Sequence, residues 1–351
     1  MDPRGRRMLG RTDVEVDQLA LGLVPLGNNY KVVSDTEAQA VLQTWWDAGL
    51  RTFDVAPVYG FGIAEERLGR FLSGRPRSEF VVSTKVGRPV GFGAPPDPEL
   101  FMPDGSPQFH DTPPGVNPYY DFSREGILRG LDDSLGRLGL DRVDYVHLHD
   151  PDKHIRQAID EAFPTLLELK AQGLIRAIGT GVNWSWVALA IARECDIDAI
   201  LLAGRYSLID LEGLEELLPL CVERRISVID GGVFNGGFLA DPKIGGMFQY
   251  RPTSDQALVD HALRIKAVCA EYGVPLKAAA VQFPMGHPAV ASVVVGAGSV
   301  THASEVIAAF EYPIPDALWG ELVDEGLLPA GTPTPFTVEP AVPREATGTI
   351  S

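Results

Sequence analysis

The chain alternates between short apolar runs and longer segments in which apolar residues recur at spacings of three and four. The apolar runs lack the strict alternation of a half-exposed strand, which predicts strands buried on both faces, as in a parallel sheet. There are eight of them: LALGLVPLG, TFDVA, FVVSTKV, DYVHLHD, AIGTGV, AILLAG, ISVIDGG and ASVVVGA. Helix-period segments between them include DTEAQAVLQTWWDAGL, SREGILRGLDDSLGRLGL, DEAFPTLLELKAQGL and SDQALVDHALRIKAVCAEYG. Eight strand-helix units predict an α/β fold, a single closed (β/α)8 TIM barrel.

Three segments lie outside this regular alternation. A turn signal around Arg11 and Asp13, between two short apolar patches, predicts an N-terminal hairpin across the bottom of the barrel. We expect the barrel to occupy residues 1–328 and the proline-rich, aperiodic residues 329–351 to form a surface tail. Residues 87–122, after the third strand, are far longer than an ordinary βα loop and rich in Pro, Gly and aromatic residues. This long loop must emerge on the C-terminal face of the barrel.

Composition narrows the classes of partner. The 351 residues carry 30 Lys and Arg against 47 Asp and Glu, a formal charge of −17, which repels nucleic acids and anionic lipid surfaces. No uncharged apolar stretch reaches the roughly 18 residues of a membrane span, and the N-terminus lacks the apolar core of a signal peptide. Cys195, Cys221 and Cys269 form no CxxC pair and are expected as buried free thiols. The sequence thus predicts a soluble, cytoplasmic protein whose partner is a small molecule.

Four ionisable side chains fall at or just beyond the ends of predicted strands 2, 3 and 4. Asp54 ends strand 2, Tyr59 lies in the loop beyond it, Lys85 ends strand 3 and His149 ends strand 4. Active sites of such barrels are built at these strand ends. An ammonium close to a phenol favours the phenolate, and a carboxylate keeps that ammonium oriented and charged. We therefore predict that Asp54 holds Lys85, that Lys85 tunes Tyr59 as the proton-transfer group, and that His149 hydrogen-bonds the reacting oxygen.

The segments FDVAPVYG, VVSTKVGR and HLHDP carry these four residues, and with them the chain resembles the aldo-keto reductase superfamily over roughly residues 6 to 325. The resemblance implies a nicotinamide cofactor. It implies that Asn183 contacts the nicotinamide carboxamide and that Tyr206 stacks on the ring, although Ala203 replaces a family glutamine. The glycine-rich segment GGVFNGGFLA resembles the family loop along the pyrophosphate. Its predicted cofactor residues are Gly232, Phe234, Asn235 and Gly237.

The cofactor is predicted to be NAD rather than NADP, with NADP possible. Family members that prefer NADP usually carry Lys or Arg after the eighth strand, whereas this chain has Gly298 and Ser304, followed by Glu305. A 2′-phosphate would meet no cation there, and a free 2′-hydroxyl could bond to Ser299 or Glu305.

Within the superfamily, YGFGIAEERLG, KVGRPV, HDPD and GGVFNGGFLA are most similar to the branch that oxidises aldoses at C1 and pyridoxal at C4. The resemblance implies oxidation of the cyclic hemiacetal of an aldose, of the L-fucose or D-threo-aldose type, to its lactone. Pyridoxal 4-dehydrogenase, which would oxidise pyridoxal to 4-pyridoxolactone, is the first alternative, and a general aldehyde or ketone reductase is the second. Aromatic residues of the long loop, chiefly Phe92, Tyr119 and Tyr120, together with Phe101 and Phe122, are expected to wall the substrate pocket.

Two other classes fit parts of the sequence. His147 and His149 share a strand face, as in metal-dependent hydrolases, but the other histidines fall in loops or helices, and no metal is predicted. Some barrels of this superfamily are cofactor-sensing subunits of larger assemblies, a role that the complete set of four catalytic residues disfavours.

Overall fold

The structure, a computed structural model, describes residues 1–249 and 251–335. Its strands are, in chain order, β1 (Arg6–Met8), β2 (Glu15–Asp17), β3 (Leu19–Gly22), β4 (Thr52–Asp54), β5 (Val81–Val86), β6 (Val90–Phe92), β7 (Val116–Pro118), β8 (Tyr145–His149), β9 (Ala177–Val182), β10 (Ala199–Ala203), β11 (Ser227–Gly231), β12 (Met247–Phe248), β13 (Arg251–Pro252) and β14 (Val290–Gly296). Eight of them form one closed parallel barrel in the order β3, β4, β5, β8, β9, β10, β11, β14 and back to β3. Every apolar run of the sequence supplies one barrel strand, so the predicted (β/α)8 fold is confirmed.

The α-helices surround the barrel. They are α1 (Asp35–Asp47), α2 (Ile63–Leu72), α3 (Arg124–Leu138), α4 (Ile155–Gln157), α5 (Phe163–Ala171), α6 (Ser185–Glu194), α7 (Glu212–Glu215), α8 (Leu217–Arg224), α9 (Gln256–Glu271), α10 (Leu276–Gln282), α11 (Val300–Glu311) and α12 (Asp316–Asp324). Side-chain caps start the long ones: the Ser34 and Ser123 hydroxyls accept the backbone N–H of Glu37 and Gly126, at the beginning of α1 and α3. One predicted helix is interrupted: residues 158–162 form a π-helix and α5 begins next to Pro164, which has no N–H to continue the regular bonding pattern.

The predicted N-terminal hairpin is present as the antiparallel pair β1 and β2. Leu9, Val14 and Val16 of the hairpin are fully buried and cluster with Val81 and Tyr145, the first residues of two barrel strands. The hairpin therefore covers the N-terminal end of the barrel, and the opposite end stays open for a site.

The predicted C-terminal tail lies mostly outside the described residues, which end at 335, so the domain limit at 328 stays a prediction. Residues 329–331 are exposed, but residues 332–334 pack against the barrel. Thr332 and Thr334 are buried, and the Tyr206 hydroxyl donates to the Pro333 carbonyl at 3.5 Å. Gly286 permits this packing, because a Cβ there would stand 2.2 Å from the Thr334 backbone.

The long loop after β5 crosses the open end of the barrel. It contains the β6–β7 hairpin and a short 3-10 helix, Pro98–Leu100. Beyond these, the Tyr30 N–H donates to the Gln108 carbonyl and the His110 N–H to the Asn28 carbonyl. The loop is thus fastened to the connection between β3 and α1.

Candidate active site

The predicted catalytic residues meet at the open end of the barrel. Asp54, Lys85 and His149 each stand in the last two positions of a barrel strand, on β4, β5 and β8. Lys85 Nζ donates to Asp54 Oδ1 at 2.6 Å and to the Val55 carbonyl at 3.2 Å. The other carboxylate oxygen of Asp54 accepts the Ser83 hydroxyl at 2.5 Å. Asp54 is therefore held from two sides and fixes the lysine, as the sequence predicts.

Tyr59 reaches the same point from a tight turn after β4. Gly60, the next residue, has φ +68°, and a Cβ there would stand 2.5 Å from the Gly27 carbonyl oxygen, so the turn requires glycine. The Tyr59 ring lies edge-on to His149 with centroids 5.9 Å apart, and Lys85 Nζ is 4.8 Å from its centroid. The structure thus brings together all four predicted catalytic residues.

Burial sets the protonation states of this group. Burial raises the pKa of Tyr59 above that of a free phenol, and the charge of Lys85 offsets only part of that rise. For Lys85, burial alone would lower the pKa, but Asp54 and Tyr59 raise it, so the side chain is an ammonium. Burial, reinforced by Arg88 and Lys85, holds the pKa of His149 well below its usual range. His149 is therefore a neutral imidazole that can donate one hydrogen bond.

A second group of charges, which the sequence did not assign, adjoins His149. Arg88 donates from its two terminal nitrogens to Asp150 and to Asp97, each at 2.8 Å. Asp150 Oδ1 accepts the Asn183 amide at 3.0 Å, and Asp150 Oδ2 lies 3.6 Å from His149 Nε2. Burial raises the pKa of Asp150 to about 6 against the opposing effect of Arg88. The only available sequence signal was position, since Arg88 and Asp150 each follow a motif residue by no more than three places.

These groups line a cleft of about 1490 Å³. Its wall runs from Lys85 and Asn183 across strand ends without bulky side chains, at Gly22, Gly181, Gly231 and Gly296, to the β12–β13 hairpin. At Gly296 a Cβ would stand 2.8 Å from the Pro25 ring, so glycine is required at this position of the wall. An extended open groove that joins the reacting groups to exposed backbone fits a nicotinamide dinucleotide.

The predicted cofactor residues divide into two groups. Asn183 and Gly232 line the cleft. Asn235 instead uses its side chain to fasten neighbouring loops, because its Oδ1 accepts the Ser207 hydroxyl at 2.7 Å and its amide donates to the Gly204 carbonyl. Phe234 and Gly237 flank that residue in the same turn, and Gly237 has φ +93°.

Tyr206 does not fit its predicted role. Its side chain has no exposed surface, since it packs against Phe283 and His287, with ring centroids 5.2 and 5.7 Å away. A ring enclosed in this way offers no face on which a nicotinamide can stack. Trp184, the residue after Asn183, is an aromatic side chain that does line the cleft, and the Arg205 guanidinium lies 4.2 Å from the centroid of its ring.

The segment after β14 places Ser299 at the N-cap of α11, where its hydroxyl accepts the His302 N–H. Gly298 precedes it, and Ser304 and Glu305 are exposed on the following turns. Glu305 faces Lys277 at 3.4 Å. One contact was not foreseen: Glu37 of α1 accepts the Val300 N–H at 3.0 Å, so a carboxylate already caps the first turn of α11.

Only some of the long-loop aromatic residues predicted to wall the substrate pocket line the cleft. Tyr120 lines the cleft, and so does Phe101. Phe92 and Tyr119 are absent from its wall: Phe92 is 87% exposed on the β6–β7 hairpin and lies over Gly115, and Tyr119 covers Gly91. Phe122 is fully buried in the core. The rings of Phe92 and Tyr119 thus pack on glycines of the β6–β7 hairpin itself. Most of the long-loop residues that line the cleft lie in the segment 98–109.

The described residues show neither a cluster of metal ligands nor a membrane-spanning helix. Within residues 1–249 and 251–335 no group of three or more His, Cys, Asp or Glu side chains is placed to hold a metal ion. His147 is fully buried, and burial lowers its pKa to about 3. In the same part of the chain, no helix has the length and apolar character needed to span a membrane.

The chain is similar to known proteins both in sequence and in structure. The model of the Aldo/keto reductase family matches residues 18–324. The chain is 41% identical to D-threo-aldose 1-dehydrogenase of Pseudomonas sp. over 319 residues, 90% of this chain and 95% of the relative. It is 40% identical to pyridoxal 4-dehydrogenase of Microbacterium luteolum over 342 residues, 92% and 98% of the two chains. Among solved structures, aldo-keto reductase AKR11C1 from Bacillus halodurans in its holo form superposes with a TM-score of 0.71 at 26% identity, covering 92% of this chain and 96% of that one.

Proposed function

The chain belongs to the aldo/keto reductase family, and we propose that within this family of oxidoreductases it oxidises the C1 hydroxyl of a cyclic aldose to the lactone with NAD+. This proposal rests mainly on one observation: four side chains meet at the open end of the barrel, namely Tyr59, Lys85, Asp54 and His149. The 41% identity to D-threo-aldose 1-dehydrogenase over nearly the whole chain supports the choice of substrate class.

The reaction needs a base for the C1 hydroxyl and an acceptor for its hydride. A bound nicotinamide dinucleotide supplies the hydride acceptor, and Asn183 and the glycine-lined strand ends are the residues that would hold it. Tyr59, as phenolate, takes the hydroxyl proton, because Lys85 stabilises the negative charge on the phenol oxygen. His149, neutral, donates from Nε2 to the same substrate oxygen and keeps it beside Tyr59.

The charges of the cleft support a neutral substrate. Apart from Arg251 on the β12–β13 hairpin, the Lys and Arg side chains that line the cleft are each matched by a carboxylate: Lys85 by Asp54, Arg88 by Asp97 and Asp150, and Lys153 by Glu99. A phosphorylated or carboxylated sugar would find no excess positive charge there, whereas the hydroxyls of a neutral sugar can pair with these groups.

The preference for NAD+ rests on the start of α11. Glu37 already accepts the first free N–H of that helix, so a 2′-phosphate nearby would meet a carboxylate and not an open helix N-terminus. Lys277 of α10 faces Glu305 of this helix at 3.4 Å, so its charge is already matched by a carboxylate. Gly298→Arg should raise kcat/KM with NADP+ relative to NAD+ by about tenfold or more, the worth of one charge-assisted contact. The substitution fits, because a Cβ at Gly298 would meet Pro25 at an ordinary 3.4 Å.

A panel assay tests the proposal. Purified protein is incubated with NAD+ or NADP+ and either neutral aldoses, pyridoxal or simple alcohols, and nicotinamide reduction is followed with trapping of the lactone as a hydroxamate. We expect the highest kcat/KM with an aldose and NAD+, and lactone in step with NADH. Higher kcat/KM with pyridoxal would favour the second candidate, which the 40% identity to pyridoxal 4-dehydrogenase supports. Tight cofactor binding without turnover on any substrate would contradict the enzymatic function.

A further inference from the structure

Asp150 has a position that the reaction itself does not explain. It follows the catalytic histidine directly, lines the cleft, and keeps its side chain 18% exposed to it. Its backbone is left-handed, with φ +47°, a conformation that costs energy for any residue with a Cβ. The chain thus holds a carboxylate at a strained position beside the reacting groups.

The surroundings of Asp150 fix its carboxylate in place. Oδ1 accepts the Asn183 amide and Oδ2 accepts Arg88, whose other terminal nitrogen is held by Asp97. The Arg88 guanidinium also lies 4.8 Å from the ring centroid of Tyr120. A carboxylate has about four acceptor sites, and these two bonds fill two of them. Acceptor sites thus remain on a side chain that has little freedom to move.

The Asp150 carboxylate is close enough to His149 to reach a bound sugar. In the proposed reaction the reacting oxygen lies between Tyr59 and His149 Nε2. Asp150 Oδ2 is 3.6 Å from that nitrogen. In a sugar, the oxygens on neighbouring carbons stand within hydrogen-bonding distance of each other. A hydroxyl on the carbon next to the reacting one therefore comes within reach of Asp150 when the reacting oxygen is bound to His149.

We propose that Asp150, fixed by Arg88, accepts a hydrogen bond from the C2 hydroxyl of the aldose and so determines specificity for sugars that carry it. This inference rests on the proposed function and names the contact that would select its substrate. Asp150 is a specificity-determining residue with no part in proton or hydride transfer. The bond joins a neutral hydroxyl to an ionised acceptor. Hydrogen bonds of this kind contribute more free energy than neutral ones, so removing one partner costs more binding free energy.

A cycle of enzyme and substrate changes tests the proposal. Wild-type protein and Asp150→Asn are assayed for kcat/KM with L-fucose and with 2-deoxy-L-fucose. We expect Asp150→Asn to lower kcat/KM for L-fucose by about 10- to 100-fold and that for the 2-deoxy sugar by less than about threefold. Asp152→Asn is the matched control, since it removes the same charge from the same segment, and it should leave the ratio between the two sugars unchanged.

Other outcomes separate the possible failures. An equal loss for both sugars in Asp150→Asn, with a weaker Kd for NAD+ by fluorescence, would show that Asp150 acts through Asn183 and would overturn the inference alone. L-fucose stands for the best aldose of the panel, and if wild-type protein oxidises no aldose, the proposed function fails and the inference with it. Should Asp150→Asn fold poorly, Arg88→Lys replaces it. This variant keeps the charge but loses the fork that fixes Asp150, so the preference for L-fucose should fall, and an unchanged preference would refute the proposal.

Discussion

Replacing Lys85 by methionine should move the alkaline limb of the pH profile to higher pH. Lys85 Nζ is 4.8 Å from the centroid of the Tyr59 ring. With an effective dielectric constant of about 20, unit charges at such a distance interact by about 3.5 kcal/mol, which corresponds to about 2.5 pKa units. Solvent in the open cleft screens part of this, so a rise of about 1 to 2.5 units in the pKa of Tyr59 is expected.

The direction in which the alkaline limb moves follows from the protonation state of Tyr59 that the reaction needs. Oxidation requires the phenolate, and burial already raises the pKa of Tyr59, so activity should increase with pH through the alkaline range. Without its cationic neighbour the phenolate becomes less stable, and the limb moves further up. The assay is kcat/KM for sugar oxidation between about pH 6 and 11. High activity with an unmoved limb would show that another group is the base.

A double variant controls for damage to the fold. Lys85→Met leaves Asp54 buried without its cation, a loss that destabilises proteins by about 3 to 5 kcal/mol. Asp54→Asn combined with Lys85→Met removes both charges. Because Asp54 raises the pKa of Tyr59 while Lys85 lowers it, the limb of the double variant should lie between those of wild type and Lys85→Met. A limb beyond that of Lys85→Met would contradict the assigned charges.

Three further predictions concern the phenol, the turn that carries it and the long loop. Tyr59→Phe should lower kcat by about 100-fold or more and leave the Kd for NAD+ unchanged, and near-normal turnover would refute its role as the base. Gly60→Ala should lower the melting temperature and the activity together, because a Cβ there would stand 2.5 Å from the Gly27 carbonyl oxygen; an unchanged melting temperature would show that the turn relaxes. Trimming residues 93–115 removes the Asp97 partner of Arg88 and much of the cleft wall, so the KM for the sugar should rise far more than the Kd for the cofactor. Equal effects on both would mean that the loop clamps the cofactor.

The sequence predicted well those features that repeat or that stand at strand ends. Apolar runs without alternation identify strands buried on both faces, and eight of them leave one closed barrel as the natural arrangement. Once the strands are placed, Asp54, Lys85 and His149 must share one end of the barrel, because parallel strands all end on the same side. Tyr59 follows from its glycine-bounded turn, where the backbone at Gly60 has little choice.

Contacts between distant parts of the chain left no comparable pattern. Glu37 caps a helix that begins 263 residues later, and Arg88 joins Asp150 across 62 residues. Neither pair has a spacing that local periodicity could reveal, since each depends on how neighbouring strands bring their loops together. The same reason explains Tyr206: its position just beyond β10 follows from the sequence, but the direction of its ring depends on the packing of Phe283 and the Pro333 segment over it. A position after a strand therefore places a residue at the correct end of the barrel, and only the surrounding side chains decide whether it faces the cleft.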